Sequence, residues 1–182
     1  MTLPASTLTG AKASRATKAS PGVIANWAAH GIVLFTSAVF LDSLRFKFTN
    51  APKTEVIFGD LNQWAGTFGA EGLFAHTGLF SQYAIGSAEF VASAILLATM
   101  FFKGYRFLQP LGALLGLAIM TGAISFHLFT PLGVNVEGDG GALFFAACGV
   151  WVSLVVLLFI RRREFGVLLK RLGVFLTSEP RA

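Results

Sequence analysis

Residues 83–132 read YAIGSAEFVASAILLATMFFKGYRFLQPLGALLGLAIMTGAISFHLFTPL. Two apolar runs, residues 83–102 and 107–132, are joined by the short basic turn KGYR. Each run is close to the roughly 20 residues that a helix needs to cross a bilayer. Glu89 is the one charged residue of the first run, and His127 is the one titratable residue of the second. The stretch therefore predicts two adjacent membrane spans that carry a carboxyl and an imidazole between them.

The composition of the whole chain also indicates a membrane protein. Of its 182 residues, 54% are hydrophobic and 13% are charged, whereas a soluble domain carries about 25% charged residues. The length predicts an all-α, integral membrane four-helix bundle. Cys148 is the single cysteine, which excludes an intrachain disulfide and a cysteine-rich metal site. No basic stripe interleaved with exposed aromatic residues indicates a nucleic-acid partner.

The chain divides into three parts along its length. Residues 1–22 are polar and basic, and we interpret them as a disordered cytoplasmic tail, with a targeting presequence as the alternative. Residues 23–160 form the predicted four-span membrane domain. Residues 161–182 carry apolar residues at helical spacing beside a basic face, which predicts an amphipathic interfacial helix on anionic lipid. The predicted spans cover residues 23–41, 83–102, 108–130 and 142–160.

The long connection between the first two spans, residues 48–82, is too polar to cross a bilayer. Pro52 could begin a helix, because Val56, Ile57, Leu61 and Trp64 follow it at near-helical spacing. Glycines then alternate with Phe and Leu up to residue 80. We interpret this as an amphipathic outer connection that lies in the membrane interface and caps the bundle.

The distribution of charge predicts the topology. With the N-terminus inside, the inner segments carry 11 basic and 2 acidic residues, and the outer segments carry 3 basic and 6 acidic residues. The positive-inside rule then favours both termini in the cytoplasm. We expect a multi-pass protein of the bacterial inner membrane.

Four residues are candidates for a polar, outward-facing site. Glu89 and His127 both lie near the predicted outer surface, as do Arg45 and Lys47 at the end of the first span. A carboxyl inside a membrane costs about 3 kcal/mol or more and usually faces the bundle interior. Glu89 and His127 are therefore candidate catalytic, proton-exchanging groups, and Arg45 and Lys47 are candidate ligand-binding cations. Two other interpretations stay open: Glu89 could be a structural partner of Arg45 or Lys47, and His127 could bond a backbone carbonyl.

A haem or metal site is not expected. His30 lies in the inner half of the first span and His127 near the opposite surface, so one haem cannot bind both. His76 lies in the connection, where no spacing fixes it against His127. No recognised metal-ligand spacing is present. We interpret His30, together with Asn26, as a polar contact between helices.

Three stretches resemble the DoxX-like superfamily of four-helix bacterial membrane proteins, including its YkgB-type branch. These are VFLDSLRFKF at residues 39–48, YAIGSAE at residues 83–89, and the span from RFLQPLG to HLFTP at residues 106–131. The resemblance implies a membrane subunit of an oxidoreductase system, such as a thiosulfate:quinone oxidoreductase, or a protein of oxidative-stress defence. Lys47, Glu89 and His127 are the polar positions that match.

The functional prediction is an inner-membrane subunit or accessory of a quinone-linked oxidoreductase system. Glu89 and His127 would exchange protons with a quinone headgroup, and Arg45 or Lys47 would stabilise negative charge. The expected partners are membrane lipid and other membrane protein subunits, through which electrons would arrive. The alternatives are a non-catalytic structural or assembly subunit of a larger membrane complex and a small proton-coupled transporter.

Overall fold

The computed structural model describes residues 21–177 of the chain. This part is all-helical, as predicted, and four of its helices are long and apolar enough to cross a membrane. The helices are α1 (Pro21–Phe48), α2 (Pro52–Gly66), α3 (Gln82–Phe101), α4 (Gln109–Phe129), α5 (Ala142–Ile160) and α6 (Arg162–Thr177), with a 3₁₀ helix at Lys103–Leu108. The tail assigned to residues 1–22 lies, up to residue 20, outside the described residues.

Local chemistry explains where the spanning helices begin. Ser81 is the N-cap of α3, and its hydroxyl accepts a hydrogen bond from the Ala84 N–H at 3.2 Å. Pro110 lies in the first turn of α4, where its missing N–H removes no helical hydrogen bond. Gly141 precedes α5 with a φ of 86°, a left-handed conformation that glycine adopts without steric cost.

The four long helices form an antiparallel ring in which α1 packs on α3 and α5, and α4 packs on α3 and α5. Its core is aliphatic and aromatic, with the close helix approaches made at glycines. A Cβ on Gly116 of α4 would lie 2.9 Å from Leu154 Cδ1 of α5 and 3.1 Å from Phe40 Cε2 of α1. Gly112 meets α3 in the same way, with Leu96 Cγ at 3.1 Å. The small-residue pair therefore serves packing inside this chain.

The bundle has two chemically different ends. We call the loop end the one at which α1 ends and α3 begins. The arginine end is the opposite one, where α3 and α5 end and Arg106 and Arg161 follow. Between the ends, the outer surface of the long helices exposes large apolar side chains, as expected for a surface covered by lipid. These include Phe35, Phe90, Phe145, Val152 and Phe159.

The connection between α1 and α3 covers the loop end. The predicted helix at Pro52 is present as α2, and residues 67–81 are irregular. Leu61, Ala65 and Phe74 are buried in a second hydrophobic cluster with Leu132 and Val136 of the loop after α4. The Phe74 ring packs edge-on against Phe126 of α4, with centroids 5.2 Å apart, which ties the connection to the bundle.

The first span is longer than the sequence predicts. Helix α1 runs to Phe48 rather than to residue 41, because residues 42–48 contain no glycine or proline and Leu44, Phe46 and Phe48 continue the apolar surface. Asp42, Arg45 and Lys47 are consequently helical residues. Helix α6 lies against the 3₁₀ helix and the start of α4, with Leu168 buried and Leu169 and Leu172 exposed.

Candidate functional site: a buried ion pair beside a cleft

Lys47 and Glu89 form a buried ion pair where α1 packs on α3. Lys47 Nζ lies 2.9 Å from each carboxylate oxygen of Glu89. Ser43 donates its hydroxyl to Glu89 Oε2 at 2.5 Å and accepts a hydrogen bond from Lys47 Nζ at 2.9 Å. The Glu89 side chain is 3% exposed and that of Lys47 is 15% exposed. Both oxygens of the intramembrane carboxyl therefore have charged or hydroxyl partners.

The geometry of the pair follows from helical spacing and from one glycine. Ser43 and Lys47 are four residues apart, so they lie on the same face of α1. Gly86 lies three residues before Glu89, and a Cβ there would be 3.5 Å from Lys47 Cδ and 3.3 Å from a ring carbon of Phe48. The contact with Phe48 would be tight and that with Lys47 ordinary, so Gly86 favours close packing of the end of α1 on α3 beside Glu89.

A second polar network joins the same helices closer to the loop end. Gln82, the first residue of α3, donates its amide N–H₂ to the backbone carbonyl of Lys47 at 2.9 Å and to Asn50 Oδ1. Tyr83 also donates its hydroxyl to Asn50 Oδ1, at 2.8 Å. Asn50 has a φ of 52°, and asparagine tolerates this left-handed conformation better than most residues do. Gln82 and Glu89 are two helical turns apart, about 10 Å along α3.

A cleft of about 160 Å³ opens next to Gln82 between α2 and the irregular part of the connection. Its lining residues are Glu55, Phe58, Gly59, Asn62, Phe74, Ala75, His76 and Gln82. Asn62 shapes the far wall, because its Oδ1 accepts hydrogen bonds from the backbone N–H groups of Gly72 and Phe74. The His76 ring packs edge-on against Tyr83, with centroids 5.7 Å apart.

Gln82 is the unusual residue of this cleft. It is 1% exposed, and within residues 21–177 its buried side-chain oxygen Oε1 has no hydrogen-bond partner. A buried acceptor without a donor costs about 1–3 kcal/mol. Gln82 therefore brings to the wall of the cleft a side chain whose acceptor lacks a donor among the described residues. Sequence reasoning did not select Gln82, although a polar residue at the start of an apolar span was a signal that could have found it.

Two of the four predicted site residues lie apart from the buried pair. His127 Nδ1 is 2.6 Å from the carbonyl oxygen of Gly133, and its ring packs on Phe144, so it fixes the turn after α4. Arg45 pairs with Asp42 at 2.8 Å, and both side chains are exposed. Within residues 21–177, no hydrogen bond or ion pair joins His127 or Arg45 to Glu89.

Asp139 organises the loop between α4 and α5. Its carboxylate accepts hydrogen bonds from the backbone N–H groups of Val136, Gly141 and Leu143 and lies 3.5 Å from Lys53 Nζ of α2. Burial alone would raise the pKa of Asp139, but the three backbone N–H groups and Lys53 together hold this pKa below its usual value. The loop therefore depends on a charged Asp139.

The arginine end carries a polar cluster that sequence reasoning did not assemble. Asn26 of α1 accepts hydrogen bonds from both Arg106 and Arg161, and Arg161 also donates to Gln109 at the start of α4. Asn26 thus joins helices, as predicted, but His30 instead packs on Trp27 of its own helix. In the described part of the chain, no three His, Cys, Asp or Glu side chains converge as a metal site.

Comparison with known proteins identifies no relative of this chain. No protein-family model, no curated protein and no solved structure matches it.

Proposed function

We propose that this chain is a membrane subunit or accessory protein of a quinone-linked oxidoreductase system, and that the quinone headgroup binds in the cleft next to Gln82. The observation that carries the proposal is the buried side-chain oxygen of Gln82, which lacks a hydrogen-bond donor in the part of the chain that the structure describes. Gln82 lines the cleft, and its amide N–H₂ donates to the backbone carbonyl of Lys47, the residue that pairs with Glu89. A small aromatic headgroup with exchangeable hydroxyl hydrogens is a ligand that suits such a site.

The residues of the cleft fit this ligand in chemical type. Gln82 Oε1 would accept a hydrogen bond from a quinol hydroxyl, and the imidazole of His76 would donate to, or take a proton from, the other side of the ring. Phe58 and Phe74 supply apolar walls. A bound quinone would supply the electron transfer, and the protein would bind and orient the ring.

Lys47 and Glu89 would supply the charged groups near the cleft, Glu89 as a proton acceptor and Lys47 as a cation. Lys47 binds Glu89 through its side chain and Gln82 through its backbone carbonyl, so one residue of α1 contacts both polar residues of α3. If Glu89 takes up a proton, the ion pair is lost and Lys47 can stabilise negative charge nearby. His127 and Arg45 have no part in this proposal, because their partners are Gly133 and Asp42.

The test is the quinone content of the purified protein. Wild type, Gln82→Leu and the control Asp42→Asn, which changes an exposed ion pair, are purified in a mild detergent, and their lipid extracts are analysed for quinone. We expect retained quinone in wild type and in the control, and roughly tenfold less in Gln82→Leu, the loss expected for about 1.4 kcal/mol of binding energy. Equal quinone in all three proteins would contradict the proposal.

A non-catalytic structural subunit is the second candidate, and a specific observation favours it. The Lys47–Glu89–Ser43 contacts satisfy every oxygen of the carboxylate, which is what a structural tie between α1 and α3 requires. Isolation of the protein in a defined complex with stoichiometric partners and no quinone would support this candidate against the first.

A further inference from the structure

Two arginines share one oxygen atom at the arginine end. Asn26 Oδ1 accepts a hydrogen bond from Arg106 Nη2 at 2.6 Å and from Arg161 Nη2 at 3.0 Å. Asn26 lies in α1, Arg106 lies in the 3₁₀ helix and Arg161 directly follows α5. The contact therefore joins segments that are distant in the chain. A neutral amide oxygen accepts these bonds but offsets neither positive charge.

The charges of this cluster are not balanced. Arg161 is 6% exposed, and its Nε donates to Gln109 Oε1 at 2.6 Å. Among the residues that the structure describes, the one carboxylate paired with it is that of Glu164, at 3.6 Å from Nη1. Burial and the neighbouring Arg106 lower the pKa of Arg161, and Glu164 opposes them. The cluster therefore contains two guanidinium groups and one carboxylate, which lies 3.6 Å from Arg161.

The cluster also has unused hydrogen-bond donors on the half-buried side chain of Arg106. Arg106 and Asn26 are half-buried, and among the described residues Arg106 makes one hydrogen bond, to Asn26. A guanidinium group carries five N–H donors in a planar fork. The remaining N–H donors of Arg106 suit a ligand that has several acceptor oxygens and a negative charge.

Helix α6 places this cluster at the level of a membrane surface. It begins next to Arg161 and packs on the 3₁₀ helix that contains Arg106. Val167, Leu169 and Leu172 are exposed on α6, and Arg162, Arg163 and Lys170 are exposed as well. A helix with exposed apolar and basic groups of this kind lies at the boundary between lipid headgroups and acyl chains.

We propose that Asn26, Arg106 and Arg161 form a binding site for a phosphate group, supplied by the headgroup of an anionic phospholipid. Arginine suits this ligand because its fork matches two phosphate oxygens at once. The bound phosphate would neutralise the excess charge of the cluster and hold α1, the 3₁₀ helix and α5 together. This site is at the opposite end of the bundle from the cleft, so it is independent of the proposed redox function.

The experiment counts lipids bound to the full-length protein by native mass spectrometry in detergent. Phosphatidylglycerol, phosphatidylcholine and inorganic phosphate are each titrated into wild type, Arg106→Gln, Arg106→Lys and Arg163→Gln. The last variant loses one positive charge at an exposed position of α6 and is the matched control. Folding of each variant is checked by its elution as a single species in size-exclusion chromatography.

We expect one phosphatidylglycerol to bind wild type and Arg163→Gln with similar affinity, and Arg106→Gln to bind it roughly tenfold more weakly. Arg106→Lys should lie between them, because it keeps the charge but loses the fork. If inorganic phosphate competes fully with the lipid, the phosphate site stands and its source is free phosphate. Equal weakening by Arg106→Gln and Arg163→Gln would overturn the proposal, as would equal binding of phosphatidylcholine.

Discussion

At the scale of single residues, the most consequential contact is that between Lys47 and Glu89. A buried charge is tolerated when it is paired and hydrogen-bonded, and removal of one partner leaves the other charge uncompensated. The pair, with Ser43, is thus a structural tie between α1 and α3 and also part of the proposed function. Stability and function have to be separated by the choice of variants.

The first prediction separates them with a mutant cycle. Glu89→Gln should destabilise the protein by about 2–4 kcal/mol, because Lys47 keeps a buried charge without a counter-ion. The double variant Lys47→Met/Glu89→Met removes both charges and should melt close to wild type. Melting followed by fluorescence-detected size-exclusion chromatography measures this, and a double variant as unstable as the single one would contradict the interpretation.

The second prediction concerns Asp139 in the loop between α4 and α5. Because the pKa of its carboxyl is lowered in the folded protein, its stabilisation is complete above the ordinary pKa of about 4 and is lost as the pH falls through the folded pKa. Asp139→Asn should cost roughly 1–3 kcal/mol at pH 7 through weaker hydrogen bonds.

The measurement for Asp139 is the melting temperature of wild type and variant between pH 7 and pH 3. The stability of Asp139→Asn should fall less steeply over the acid range than that of wild type. Parallel pH profiles for the two proteins would show that this carboxylate does not stabilise the loop.

At the scale of helices, the packing of α4 depends on glycine positions. Gly116→Ala places a methyl group 2.9 Å from Leu154 Cδ1 and 3.1 Å from Phe40, and overpacking of this kind costs about 1–3 kcal/mol. Gly122→Ala is the matched control on the same helix, since its nearest neighbour would be Phe126 at 3.9 Å. Thermal melting of both variants tests this, and equal melting temperatures would contradict it.

The sequence predicts these helices well, because hydropathy and length alone define a membrane span. The fourth span, residues 142–160, coincides with α5, and the predicted helix at Pro52 is present. The first span was predicted to end at residue 41, and α1 continues seven residues further, through the charged residues at the end of the span. The helix can place Lys47 against the bundle because the ammonium group of Lys47 pairs with the buried carboxylate of Glu89 on α3.

The candidate site could be predicted only in part. The carboxyl of Glu89 is visible in the sequence because an acid is rare inside an apolar run. Its partner is Lys47 because Lys47 lies on the face of α1 that packs on α3, whereas Arg45 is exposed and pairs with Asp42. The arginine cluster depends on contacts that span 80 and 135 residues, and no local pattern carries that information.

At the scale of the whole molecule, the two ends of the bundle differ in charge, and this asymmetry predicts the orientation. A Cys148→Ala background is given a single cysteine, either Glu71→Cys at the loop end or Arg163→Cys at the arginine end. We expect an impermeant maleimide to label Glu71→Cys in intact cells, and Arg163→Cys only after permeabilisation, because positive charge stays in the cytoplasm. The opposite labelling pattern would contradict the topology.

The proposed function is also tested at this scale, because in that proposal the charges of Lys47 and Glu89 support quinone binding in the cleft. The most direct measurement is the quinone content per molecule of purified wild type and of the charge-free double variant Lys47→Met/Glu89→Met. The account predicts roughly tenfold less quinone in the double variant at an unchanged melting temperature. Unchanged quinone content, or no quinone in either protein, would contradict it and favour the structural role.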